Sequence, residues 1–77
     1  MPRYFFDIED DAASMRDEEG SVLPDLEAAQ HEATETLLQM GRDTFRSKDH
    51  GTLSVAIRDE AGTTMSKQRL TLTVERR

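Results

Sequence analysis

The hydrophobic residues of this chain repeat every two positions, then every three to four, and then every two again. Alternation over Tyr4–Ile8 is typical of a half-buried β-strand, and it returns in Leu53–Ile57 and Leu70–Val74. Between the first and the second of these segments, Leu26–Phe45 has the apolar spacing of an amphipathic helix. One helix covering one face of an antiparallel sheet is the simplest fold that buries all these faces together. The pattern predicts an α+β domain of order β-β-α-β-β, with a four-stranded antiparallel sheet and one helix.

The helix is predicted over about residues 25–46. Pro24 disfavours helical geometry in the residue before it, and the Asp25 carboxylate can accept hydrogen bonds from free N–H groups of a first turn. Gly41 lowers helix propensity, but Phe45 continues the apolar stripe beyond it. The alanines of the helix, together with Gly41, predict a thin face that lies close to the sheet.

The predicted core takes the inward side chains of each element. Met65 alternates oppositely to Leu70, so a bulge is predicted near Lys67–Gln68, because one extra residue switches the face of a strand. Residues 75–77 are predicted to fray. The predicted buried residues are Tyr4, Phe6, Ile8, Met15, Leu26, Ala29, Ala33, Leu37, Met40, Phe45, Leu53, Val55, Ile57, Leu70, Leu72 and Val74.

Length and charge limit what this domain can bind. The chain has 77 residues, 16 acidic against 10 basic side chains and a net charge of −6, and we expect a single domain over residues 1–77. A core this small contributes only about 3–5 kcal/mol, so a marginal monomer or a homodimer is expected. The negative charge disfavours nucleic acid and anionic membranes as partners.

The composition and the first residues of the chain also predict its cellular compartment. The chain contains no cysteine, so it has no disulfide framework. It lacks the run of roughly 20 apolar residues that a membrane helix needs, and its first residues form a strand pattern in place of a signal peptide. We therefore expect a cytoplasmic protein.

A short sequence occurs twice. Arg16–Gly20 reads RDEEG and Arg58–Gly62 reads RDEAG, and each follows a predicted strand. Aspartate and glycine are the residues that tight turns favour, so two similar turns are the preferred interpretation. A duplicated acidic site is the alternative.

Four blocks, Met1–Phe6, Asp17–Gly20, Leu23–Ala29 and Asp59–Gly62, resemble a domain-of-unknown-function family. Its members are short proteins of alphaproteobacteria, especially of rhizobial relatives. The resemblance covers nearly the whole chain and implies a compact bacterial domain, but it carries no activity, ligand or catalytic residue. Family members often have histidine at the position of Asp7.

The acidic residues of the first predicted strand and turn have the spacing of a calcium-binding loop. Asp7, Glu9, Asp11 and Glu18 lie at the first, third, fifth and twelfth places of an EF-hand register. Ala12 replaces the glycine that the sharp turn of that loop requires, and the preceding residues form a strand where an EF-hand has a helix. These departures disfavour an EF-hand site, and weak, non-structural cation binding by the acidic turns is the alternative.

Catalytic and metal-ligating patterns are not found in the sequence. His31 and His50 are the only histidines. Glu27 and Glu35 each lie four residues from His31, but such pairs are common on solvent-exposed helices and do not by themselves indicate a metal site. No nucleophile elbow or phosphate-binding loop is present. We therefore predict no catalytic residue, no metal ligand, no cofactor and no enzymatic activity.

An interaction surface is the preferred functional prediction. Phe5 is predicted on the outer face of the sheet with Ala56, Thr71 and Thr73, and an aromatic residue on a polar face favours self-association or a protein partner. The prediction is a protein–protein interaction module, most simply a homodimer.

Two other binding functions stay open. In the first, Phe5 stacks on nucleic-acid bases beside basic side chains, although the net charge opposes it. In the second, an acidic patch masks a basic partner surface. The basic residues concerned are Arg3, Arg58, Arg76 and Arg77, and the acidic ones are Asp10, Asp11, Glu18 and Glu19.

Overall fold

A computed structural model of the chain describes residues 1–76. One helix packs on one antiparallel sheet, so the predicted α+β class is confirmed. In sheet order the strands run β2-β1-β4-β5, and β3 also pairs with β1. The elements are β1 (Arg3–Asp10), β2 (Ser14–Met15), β3 (Ser21–Val22), α1 (Leu26–Thr44), β4 (His50–Arg58) and β5 (Thr64–Thr73).

Over residues 1–76 the sheet has five strands, so the prediction of four was wrong. The missed strand is β3, where Val22 pairs with Arg3 and Ser21 with Tyr4. Two residues are too few to show an alternating pattern, and Val22 is 48% exposed, so burial leaves no signal either. Only the position of β1 beside it makes this segment a strand.

Helix α1 begins where the sequence predicts. The Asp25 carboxylate accepts a hydrogen bond from Ala28 N at 2.9 Å, as an N-cap does. The helix ends at Thr44, two residues before the predicted end, and Phe45 caps it by donating its N–H to Gly41 O at 3.0 Å. The predicted thin face is confirmed, because a Cβ at Gly41 would lie only 2.7 Å from Leu70 Cδ2.

The core lies between α1 and the centre of the sheet. Strand β4 supplies its largest fully buried side chains, Leu53, Val55 and Ile57. The helix packs over β4 and β5, so burial falls toward β1 and β2. The other buried hydrophobic residues are Tyr4, Ala29, Ala33 and Leu37, and those partly buried against them include Phe6, Ile8, Leu26, Met40, Phe45 and Leu70.

Two residues were wrongly placed in the core. Met15 is 65% exposed because β2 lies beyond the part of the sheet that the helix covers. Val74 is 46% exposed because it follows the last residue of β5. In both cases alternation predicted the side of the sheet correctly, but no described helix or strand covers the side chain enough to bury it.

The bulge of β5 is present, two residues before the predicted place. Ile57 pairs with Ser66, and Arg58 pairs with Thr64, so Met65 is the additional residue. Asp59 N donates to Thr63 O at 2.9 Å and closes the hairpin between β4 and β5 beside the bulge. Because this hairpin is tight, the extra residue lies next to the turn. Met65 is 46% exposed.

The chain end is only partly described. Glu75 and Arg76 follow β5 outside regular structure, and an Arg76 guanidinium nitrogen pairs with the Asp49 carboxylate. Arg77, which the fraying prediction included, lies outside the described residues.

Candidate functional site

The sheet face opposite α1 carries a network of charged side chains centred on Arg58. Its guanidinium binds the Asp7 carboxylate through two hydrogen bonds, of 2.9 Å from Nε and 3.2 Å from Nη2. The same Nη2 donates to Asp17 O at 2.9 Å. The Arg58 side chain is 11% exposed. Such two-point pairing fixes geometry as well as charge, so Arg58 joins β4, β1 and the turn after β2.

The Asp17 carboxylate fixes that turn from the other side. It accepts hydrogen bonds from Phe6 N at 3.1 Å, Glu19 N at 3.1 Å and Gly20 N at 3.0 Å. Asp17 N in turn donates to Asp7 Oδ1 at 3.0 Å. The turn is therefore held to β1 by its own backbone and by one carboxylate.

Both carboxylates are more acidic than ordinary aspartates. The hydrogen bond from Arg58 is the main cause that lowers the pKa of Asp7 below 3.8. Burial of Asp17 would raise its pKa, but hydrogen bonds from Gly20, Phe6 and Glu19 outweigh that effect and lower it below 3.8. The ionised forms are therefore part of the fold.

This acidity predicts how stability depends on pH. A carboxyl with a lowered folded-state pKa stabilises the fold above its unfolded pKa and loses that contribution as pH falls through the folded pKa. Asp17→Asn should lower the stability at neutral pH by about 1–3 kcal/mol, because an amide leaves backbone donors unsatisfied. Its melting temperature should then fall less than that of the wild type between about pH 5 and pH 2.

The control is Asp43→Asn, since Asp43 is 81% exposed in a surface pair with Arg46. It should follow the wild-type curve, because exposed pairs contribute little. Thermal unfolding followed by circular dichroism measures both variants. Parallel pH curves for Asp17→Asn and the wild type would contradict the role of the Asp17 carboxylate.

The two similar sequence blocks are turns of one kind. Asp59 Oδ1 accepts from Ala61 N at 3.0 Å and Thr63 N at 2.9 Å, as Asp17 Oδ1 accepts from the backbone of its own turn. Both turns end in glycine at positive φ, +72° at Gly20 and +87° at Gly62. The turn interpretation explains both blocks without a ligand.

The acidic residues of the EF-hand register do not converge. Asp7 is paired with Arg58, and Asp11 accepts a hydrogen bond from Thr52 N at 3.1 Å. Within residues 1–76, no three histidine, aspartate or glutamate side chains are grouped so that they could hold a metal ion.

The predicted interface residues do not form one patch. Phe5 pairs with Arg58 at one end of β4, whereas Thr71 and Thr73 pair with Thr52 and His50 at the other. At about 3.3 Å per residue, roughly 20 Å separates these ends. Thr71 and Thr73 are exposed on β5, and Ala56 lies half-buried between the two ends.

Phe5 is less accessible than the alternation predicts. The Arg58 guanidinium carbon lies 4.7 Å from the centre of the Phe5 ring, which is a cation–π contact. Lys67 Nζ also lies 4.0 Å from Glu9 Oε1 on this face. The ring and these basic groups are thus engaged within the chain, which lowers their availability for stacking on nucleic-acid bases.

The outer edge of β5 is a feature that the sequence analysis did not identify. Val74 N donates to Asp49 O at 2.8 Å, toward β4. In an antiparallel ladder the direction of the backbone groups alternates from one residue to the next. The residues of β5 at odd-numbered positions beyond the bulge therefore direct their N–H and C=O groups away from β4. These residues are Lys67, Arg69, Thr71 and Thr73.

Apolar side chains follow the same edge on the helix side. Thr34 Oγ1 donates to Gln68 Oε1 at 2.7 Å, which places this row of the helix beside β5. Leu38 lies one helical turn further along that row and is 53% exposed. Leu70 and Leu72 are half-buried on the same side of β5. Within residues 1–76, the edge therefore combines backbone groups that no other strand pairs with and a row of incompletely covered apolar side chains.

A family model described as a domain of unknown function (DUF6894) matches residues 3–71. The chain belongs to this family. The DUF6894 match begins at the first residue of β1 and ends within β5, so it includes α1 and the hairpin between β4 and β5. Comparisons with curated proteins and with solved structures found no match. Among the described residues, the DUF6894 domain has no helix with the length and apolarity needed to cross a membrane.

Proposed function

We propose that this DUF6894 domain is a non-enzymatic module that self-associates by pairing β5 with β5 of a second copy. The unpaired outer edge of β5 is the observation that carries the proposal. An unpaired strand edge presents a row of donors and acceptors that another strand can satisfy. At ten residues, β5 is the longest strand of the sheet.

The two edges of the sheet differ in a way that supports this proposal. The outer edge of β1 is covered by β2 at Ile8 and Glu9, and by β3 at Arg3 and Tyr4. Strand β5 has β4 as its one neighbour among the described residues. Among the described residues the strands at the other side of the sheet, β2 and β3, have only two residues each, so β5 offers the one long edge, and pairing through one long edge favours closed dimers.

The side chains along β5 also suit a partner strand. Leu38 and Val74 are 53% and 46% exposed, and a second copy placed beside β5 would cover them. Burying apolar surface contributes roughly 25 cal/mol per Å², which matters for a domain with so small a core. Lys67 and Arg69 limit unspecific edge pairing, as charges on natural edge strands do.

The absence of a catalytic role in the proposal has a structural reason. The most strongly hydrogen-bonded titratable groups, Asp7, Asp17 and Arg58, bind one another and the backbone. These hydrogen bonds fix a turn, which accounts for the three charged groups without a catalytic role. We extend the proposal to the setting that the sequence indicates, the cytoplasm of an alphaproteobacterium of rhizobial type.

Thr71→Pro should abolish self-association. Proline has no N–H, and Thr71 N points to the open edge, so the substitution removes a donor for the second copy and leaves the β4 ladder intact. The wild type should sediment as a dimer at high micromolar concentration and Thr71→Pro as a monomer, as measured by analytical ultracentrifugation. Circular dichroism checks that the variant is folded.

Thr71→Val is the matched control, because valine keeps both the N–H and the branched side chain of threonine. It should remain dimeric. A monomeric wild type at high micromolar concentration would contradict the proposal, and so would a folded Thr71→Pro variant that still dimerises.

A further inference from the structure

We propose, on the basis of the self-association above, that the two copies pair antiparallel with their two-fold axis at Thr71. Each β5 would then face the other in one register, with residue numbers of opposed residues adding to 142. The opposed pairs are Thr71 with Thr71, Leu70 with Leu72, Arg69 with Thr73, Gln68 with Val74 and Lys67 with Glu75.

Symmetry removes half of the conceivable registers. A two-fold axis that relates neighbouring antiparallel strands of one sheet is perpendicular to that sheet, so both helices lie on the same side. Residues that face the same side are then opposed, odd with odd and even with even. The outward backbone groups of Lys67, Arg69, Thr71 and Thr73 are all odd-numbered, so each can bond to an outward group of the second copy.

Charge removes two of the remaining registers. An axis at Arg69 would place the guanidinium directly opposite itself, and an axis at Gln68 would place Lys67 opposite Arg69. Like charges directly opposed across strands are destabilising. With the axis at Thr71, no like charges are opposed, and continuing the pairing past Thr73 would bring Lys67 opposite Glu75 on the side of the sheet away from the helix.

Apolar matching separates the last candidates. An axis at Leu70 would place the polar Gln68 against Leu72 on the helix side. An axis at Leu72 would leave three residues of each β5 overlapping, Thr71–Thr73, against five, Arg69–Thr73, with the axis at Thr71. The axis at Thr71 joins Leu70 to Leu72 twice, beside the exposed Leu38 of each copy. Of the two registers that keep a continuous apolar row, with the axis at Thr71 or at Leu72, the one with the axis at Thr71 overlaps more of β5.

Single cysteines test the register cleanly, because the natural chain has none. Opposed hydrogen-bonded residues have Cα atoms about 5.5 Å apart, within the roughly 4.4–6.8 Å that a disulfide spans. Thr71→Cys should form a disulfide-linked dimer under mild oxidation. Arg69→Cys alone should stay unlinked, and mixed with Thr73→Cys it should form the mixed disulfide. Non-reducing electrophoresis distinguishes these species.

A charge exchange provides a second measurement without oxidation. Lys67→Glu should weaken the dimer in sedimentation, and Lys67→Glu combined with Glu75→Lys should restore it. A wild-type dimer with linkage at Arg69→Cys alone, or with no rescue by the exchange, would overturn the register and leave self-association standing. A monomeric wild type would overturn both.

Discussion

Replacing Leu37 with alanine is expected to unfold the domain. Leu37 is 5% exposed and belongs to the buried cluster between α1 and the sheet. A buried leucine truncated to alanine typically lowers stability by about 2–5 kcal/mol. A core of this size supplies only about 3–5 kcal/mol in total, so the loss approaches the whole. Circular dichroism at 222 nm, a wavelength that reports helix, should show an unfolded or barely cooperative chain.

The neighbouring Leu38 supplies the control. Leu38 is 53% exposed, so Leu38→Ala removes few contacts within one copy and should leave the fold intact. In the proposed dimer it should weaken association, which sedimentation detects separately. If both variants shifted the melting temperature of the monomer equally, the helix stripe assigned here would be wrong.

Replacing Gly20 with alanine is the second change with a large expected effect. Gly20 has φ of +72°, and a Cβ there would lie 2.9 Å from both Tyr4 O and Phe5 Cε1. The backbone carbonyl cannot rotate away without breaking the pairing of β1 with β3. Left-handed geometry alone costs about 1–2 kcal/mol for a residue with a Cβ, and the overlap should add about 1–3 kcal/mol.

Gly62→Ala isolates the contribution of the overlap. Gly62 has φ of +87°, and no heavy atom lies within 4 Å of the added Cβ. Gly62→Ala should therefore lose only the free energy that left-handed backbone geometry costs, without the further loss that steric overlap adds in Gly20→Ala. Urea unfolding of both variants gives the two free energies. Equal decreases in the free energy of unfolding would show that the close approach of Gly20 to β1 does not contribute to the destabilisation.

The polar network around Arg58 holds the turn that ends at Gly20. Arg58 binds Asp7 and the turn before Gly20, while Asp17 binds the backbone on either side. This arrangement holds the chain after β2 against the outer edge of β1. The same contacts that occupy the charged residues therefore cover the outer edge of β1, whereas β5 has β4 as its one neighbouring strand among the described residues.

The fold was largely predictable because hydrophobic alternation reports directly which side of a strand or helix is buried. Leu53, Val55 and Ile57 are almost completely buried, as their alternation predicts. Asp25 caps the helix because its side chain acts on the N–H groups nearest to it in sequence. Such local signals need no knowledge of the remaining fold.

The prediction of interface residues was limited because alternation reports only on which side of the sheet a residue lies. Alternation correctly directs Phe5 away from the helix, but the Arg58 side chain that covers it comes from a strand more than fifty residues later. Met15 is the converse case, directed inward with no helix above it. Whether Thr71 and Thr73 contact a second copy stays a prediction.

The sequence by itself determined the α+β class, the helix from Asp25, the two glycine turns and the central strand, because each depends on neighbours within a few positions. Only the tertiary structure decided that Arg58 pairs with Asp7, that β3 exists, and that β5 forms an open edge. Those features depend on which strands lie side by side. Strand order is set by contacts between distant segments, and these leave no periodic signal in the chain.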